Sequence, residues 1–149
     1  MKTSIHHLSI WRKLAMASIV VCNIFFINYA NADITILDVA WTNGINDKNQ
    51  PIKRYNNKGK APQGSIYLWM KIKGDVQVQH RWFRYLGTRP YLDKTQTPKR
   101  VKQGANWYIW TGKQNIQPGW WRVNVINANS KRPVKCGRKH CVYSIHVEK

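Results

Sequence analysis

Apolar and polar positions alternate along most of this chain. From Ser65 to Lys73, Ile66, Leu68, Met70 and Ile72 fall on one side and Tyr67, Trp69, Lys71 and Lys73 on the other, the two-residue period of a half-buried strand. From Asp75 to Leu86, Val76, Val78, His80, Trp82 and Leu86 alternate with Gln77, Gln79, Arg81, Phe83 and Tyr85. Adjacent in sequence, the two segments predict an antiparallel hairpin. A two-residue turn would set Lys73 beside Val76. A three-residue loop, Lys73-Gly74-Asp75, pairs Ile72 with Val76, Met70 with Val78 and Leu68 with His80, which keeps one face dry. That register places Tyr67 beside Arg81 and Trp69 beside Gln79.

The remaining pattern is also extended. Asp33 to Thr42 reads as a strand with two mixed faces, Ile34, Ile36 and Asp38 against Leu37, Val39 and Trp41, covered on both sides or near an edge. Asn43 to Gly64 is rich in Asn, Gly, Lys and Pro and reads as a long basic loop carrying Lys48, Lys53, Arg54, Lys58 and Lys60. A solvated insertion is the expectation for it, with a phosphate or glycan contact as the alternative. Gly87 to Thr97 reads as turns, and Arg100 to Lys102 as a short edge strand. Asn106 to Gly112 and Trp120 to Ala128 read as strands, and Pro133 to Lys149 as a terminal hairpin. With no helical period after residue 32, six to eight strands predict one all-β domain over 33–149, an immunoglobulin-like antiparallel sandwich.

Residues 1–32 have a different character. Lys2, Arg12 and Lys13 precede an apolar run from Leu14 to Tyr29, and Ala30-Asn31-Ala32 is a small-x-small cleavage site. This predicts a secretory signal peptide and an exported, periplasmic or envelope-associated protein beginning at Asp33. An uncleaved anchor is the alternative, and would be the chain's only membrane contact.

Composition adds sign and compartment. The 149 residues carry 25 Lys+Arg against 6 Asp+Glu, a net charge of +19. Three of the basic residues and none of the acidic ones precede Asp33, leaving +16 on 33–149. Such an excess favours anionic partners: a polysaccharide, a phosphate polymer, an acidic envelope protein or a membrane surface. Export argues against nucleic acid. Cys136 and Cys141 remain after the leader, and in an exported chain they predict a disulfide stapling a hairpin. A zinc site from Cys136, Cys141, His140 and a further ligand such as His146 is the alternative.

The spacing of His80-x-Trp82, Trp107 and Trp110, Pro118-Gly119-x-Trp121-x-Val123-x-Val125 and Ile145-x-Val147 resembles a bacterial family of exported domains, domain-of-unknown-function family twenty-nine fourteen. Ile45-Asn46-Asp47, Pro51 and Ile66-Tyr67-Leu68-Trp69 fit the family's opening, and the resemblance spans about residues 39–147. Where the family has an acidic residue before the proline, Asn49-Gln50 stand here, and the paired cysteines are additional. The resemblance implies a small envelope β domain and no reaction.

Catalytic material is sparse. Glu148 is the single glutamate, no phosphate loop or dinucleotide motif is present, and no carboxylate pair has glycosidase-like spacing. His80, Trp82, Trp107 and Trp121 read as structural core residues, with His80 hydrogen-bonded to backbone. No catalytic residue, metal or cofactor is expected. The candidate binding set is Tyr67, Trp69, Lys71, Arg81, Phe83 and Tyr85, lying together on the outer face of the predicted hairpin. Aromatic faces stack on sugars, and interleaved cations hold anionic groups. The expected function is a non-catalytic module for an anionic envelope polymer or glycan. The alternative is an accessory or structural subunit of an envelope complex docking through the same face.

Overall fold

The structure is a computed structural model that describes residues 34–55 and 59–149; the predicted leader and Lys58 lie outside them. The described residues form twelve strands and no helix: β1 (Thr35–Thr42), β2 (Arg54–Tyr55), β3 (Lys60–Ala61), β4 (Gly64–Lys73), β5 (Val78–Leu86), β6 (Arg89–Gln96), β7 (Lys99–Gln103), β8 (Asn106–Ile116), β9 (Gly119–Asn127), β10 (Lys135–Cys136), β11 (Lys139–His140) and β12 (Val142–Val147). The first sheet has the order β2-β1-β4-β8-β7, the second β3-β12-β9-β5-β6, and β10 pairs only with β11. All pairings are antiparallel except β12 with β3. The all-β sandwich read from the alternation is the observed fold.

The core forms where the two inner faces meet. Ile66, Leu68, Met70 and Ile72 of β4 are buried, as are Val78, His80 and Trp82 of β5, Trp121, Val123 and Val125 of β9, and Ile145 and Val147 of β12. Trp41 of β1 meets Trp82 edge to face, with centroids 5.6 Å apart at 74°, an arrangement aromatic quadrupoles favour. Of the other expected core residues, Trp121 is buried, while Trp107 is only partly covered, with the Arg100 guanidinium 4.0 Å over its ring.

The predicted β4–β5 hairpin does not form. β4 pairs with β1 and β8, whereas β5 pairs with β9 and β6. Gly74 to Gln77 carries the chain from one sheet to the other, with Gly74 at φ 105° and Val76 buried. Both strands have one apolar face. Laid side by side, those faces would still need a covering layer, whereas stacked face to face they cover each other.

Other boundaries also shift. A bulge at Leu37, between the pairs Ile36–Ile72 and Asp38–Lys71, resets the alternation of β1, so Ile36 and Val39 both pack against the core. Bulges place two residues opposite one, which explains why neither face looked clean. The stretch 43–64 contains β2 and β3, which extend one edge of each sheet. The stretch read as turns after Gly87 contains β6, which enters through the two-residue Gly87-Thr88 turn, with Gly87 at φ 64°.

Candidate functional site

Because the hairpin is replaced by a crossover, the six-residue set divides between opposite outer faces. Tyr67, Trp69 and Lys71 project from β4 on the first sheet; Arg81, Phe83 and Tyr85 project from β5 on the second.

On the first sheet Trp69 is buried to 1% exposure, packed with Ala40 and Tyr108. The segment Gly44–Ile52 covers it. Asn46 and Gln50 exchange a backbone hydrogen bond, the Asn46 Oδ1 accepts from the Lys48 and Gln50 amides at 3.0 and 2.9 Å, and the Trp69 indole N–H donates to the Asn49 carbonyl at 2.7 Å. Trp69 is therefore an anchor for this loop and not a ligand platform. From the other side, Arg54 lies 5.4 Å over the Trp69 ring and holds Asp38 through two hydrogen bonds of 3.0 and 2.6 Å. That hydrogen bonding lowers the Asp38 carboxyl below its ordinary value and raises Arg54. Lys71 stands 5.8 Å from the Tyr108 ring centroid.

The second sheet presents a broader arrangement. The register places Phe83 of β5 between Leu92 of β6 and Arg122 of β9, and Arg122 opposite Ser144 of β12. Residues directly opposite share a side of the sheet. The Arg122 guanidinium lies 5.0 Å from the Phe83 centroid and 5.5 Å from that of Tyr85, and it donates to the Tyr85 hydroxyl at 2.8 Å. Arg81 is opposite Asn124 one row away. Toward the other end, Trp120 and His146 face each other with ring centroids 5.0 Å apart. Leu92, Trp120 and Val142 are 56%, 47% and 42% exposed. Strands β5, β9 and β12 contain no Asp or Glu. Asp93, on β6, is engaged by Lys113 of β8, so it does not neutralise Arg81 or Arg122. Sequence reading missed Arg122, Trp120 and His146 because strand order, not the pattern within a strand, brings them beside Phe83 and Tyr85.

His80 is fully buried and has no outlet to either face. Its Nδ1 pairs with Thr111 Oγ1 at 2.8 Å, and the Trp82 indole N–H donates to the same oxygen at 2.9 Å. The partner is a side chain of the opposite sheet and not backbone, a correction to the expectation. With Trp82 donating to the hydroxyl, Thr111 O–H can donate to Nδ1, which leaves the imidazole proton on Nε2. Burial drives the His80 pKa down to about 3, so the ring is neutral.

Cys136 and Cys141 form a disulfide across the β10–β11 turn, Cα to Cα 5.1 Å, and this takes both sulfurs out of the alternative zinc set. The Tyr143 hydroxyl lies 3.4 Å from Cys136 Sγ, and burial raises its pKa to about 12. Among the described residues no three His, Cys, Asp or Glu side chains converge as a metal site.

The chain matches no model of a known protein family and no curated protein.

Proposed function

We propose that this chain is an exported, non-catalytic binding module for an anionic envelope polymer, held on the outer face of the second sheet by Arg81, Phe83, Tyr85 and Arg122. The observation that carries this reading is the Arg122 guanidinium set against two aromatic rings on strands free of carboxylates. A guanidinium fixed in that way is preorganised for phosphate, sulfate or carboxylate groups, and the rings beside it offer stacking surface to the sugars that carry them. The disulfide is in keeping with an oxidising compartment outside the cytoplasm. The order β1-β4-β8-β7 against β6-β5-β9-β12 supports an immunoglobulin-like sandwich, with Trp82 in the place of that fold's buried tryptophan.

Retention on immobilised lipopolysaccharide across a salt series tests the reading. The native chain is expected to elute as salt rises, and the Arg81→Gln/Arg122→Gln variant to bind roughly tenfold more weakly, the loss expected for one or two charge-assisted contacts. Retention that ignores salt, or an unchanged variant, would count against it. The exposed Leu92, Trp120 and Val142 favour a second reading, an accessory subunit docking by this face. That reading calls for a stoichiometric protein complex in native extracts that survives the arginine substitutions.

A further inference from the structure

The first sheet carries a separate cleft of about 420 Å³, within the range of small-ligand sites. Tyr67 and Trp110 line it from the sheet, Asn46, Asp47 and Asn49 from the loop, and Lys99 from β7. We propose that this cleft is a subsite for one neutral pyranose ring.

The sheet side of the cleft is built by a missing side chain. Tyr67 of β4 is directly opposite Gly112 of β8, and a Cβ at Gly112 would sit 2.1 Å from a Tyr67 ring carbon. With no side chain there, the tyrosine ring occupies the space over Gly112. Trp110 lies on the same side of β8, with Lys99 Nζ 5.4 Å from its ring centroid. The facing wall is fixed in place, because Asn46 Oδ1 closes the loop on itself and Trp69 pins Asn49 to the sheet.

The chemistry of the two walls selects the ligand. Aromatic rings take the C–H face of a sugar, while carboxylate, amide and ammonium groups take its ring of hydroxyls. Asp47 is the one carboxylate among the described residues outside every ion pair; Asp38, Asp75, Asp93 and Glu148 are each engaged by a cation. Asp47 accepts from sugar hydroxyls, and with Lys99 in the same lining the cleft carries no net charge, which suits a neutral ring better than a hexuronate, sulfate or phosphate. This site therefore takes a different ligand from the arginine face. It does not depend on the polyanion reading, and either can fail alone.

An NMR titration of the chain with methyl glucoside, N-acetylglucosamine and glucuronate provides the test. At least one neutral sugar is expected to shift the Trp110 indole N–H saturably, with a Kd of about millimolar. Asp47→Asn should weaken that binding about tenfold; Arg122→Gln, on the far face, should leave it unchanged. The proposal is overturned if neither neutral sugar moves Trp110, if glucuronate binds as well as they do, or if Asp47→Asn binds like the native chain.

Discussion

Thr111 is the residue on which the interior polar chemistry turns. One hydroxyl serves Trp82 and His80 from the opposite sheet, so removing it orphans two buried groups. Thr111→Val should cost roughly 2–4 kcal/mol in urea unfolding, about one to two unmet hydrogen bonds, whereas Thr111→Ser should cost about 1 kcal/mol or less, the lost methyl alone. His80 adds a pH signature. Its folded pKa of about 3 lies below the ordinary value of 6.5, so between these limits the unfolded chain binds the proton and the folded chain does not. Stability is then present above the unfolded value and is lost as pH falls from about 6.5 toward 3, at about 1 kcal/mol per pH unit in the steep part. Measured between pH 7 and pH 4.5, above the range where Asp38 begins to matter, this slope should flatten in His80→Leu. An equal slope in both proteins would remove His80 as its source. Gly112→Ala tests the neighbouring surface: the added methyl must displace Tyr67, at about 1–3 kcal/mol for overpacking.

Among the elements, the β10–β11 hairpin is the one with a covalent staple. Its disulfide closes a short loop, and the second cysteine, Cys141, is buried in the core with its carbonyl accepting from the Val125 amide of β9. Cys136→Ala/Cys141→Ala, which puts no hydroxyl into the core around Cys141, is expected to lose about 2 kcal/mol by loop-closure entropy while leaving the amide spectrum of β5 in place. Strand faces were legible for β4, β5, β9 and β12, because alternation is a property of the strand alone. Pairing was not. The dry faces of β4 and β5 suit a hairpin or a stack equally well, and only the positions of β8 and β9 decide between them. The burial of Trp69 was hidden for a related reason, since it depends on a hydrogen bond to Asn49, twenty residues away. Strand β6 was missed because it is a sheet edge. Most of its side chains are exposed, and it carries a proline and a bulge at Asp93, features by which edge strands avoid pairing with other chains.

Across the whole molecule, charge sets the behaviour. Against a net +16 on residues 33–149, the described residues hold four ion pairs, of which the exposed ones contribute little. Self-repulsion should therefore make the melting temperature rise as ionic strength goes from about 10 to about 150 mM, where screening shortens from roughly 30 to 8 Å. The same salt should weaken binding to a polyanion, so stability and affinity are expected to move in opposite directions. The two outer faces divide the surface: arginine with aromatic rings on one, and Asp47 and Lys99 with aromatic rings on the other. Side-chain NMR mapping of a hexuronate oligosaccharide on the native chain tests this division most directly. The shifts should concentrate on Arg81, Phe83, Tyr85, Trp120 and Arg122 and fade as salt is added; shifts centred on Tyr67, Trp110 and the Gly44–Ile52 loop, or indifferent to salt, would contradict it.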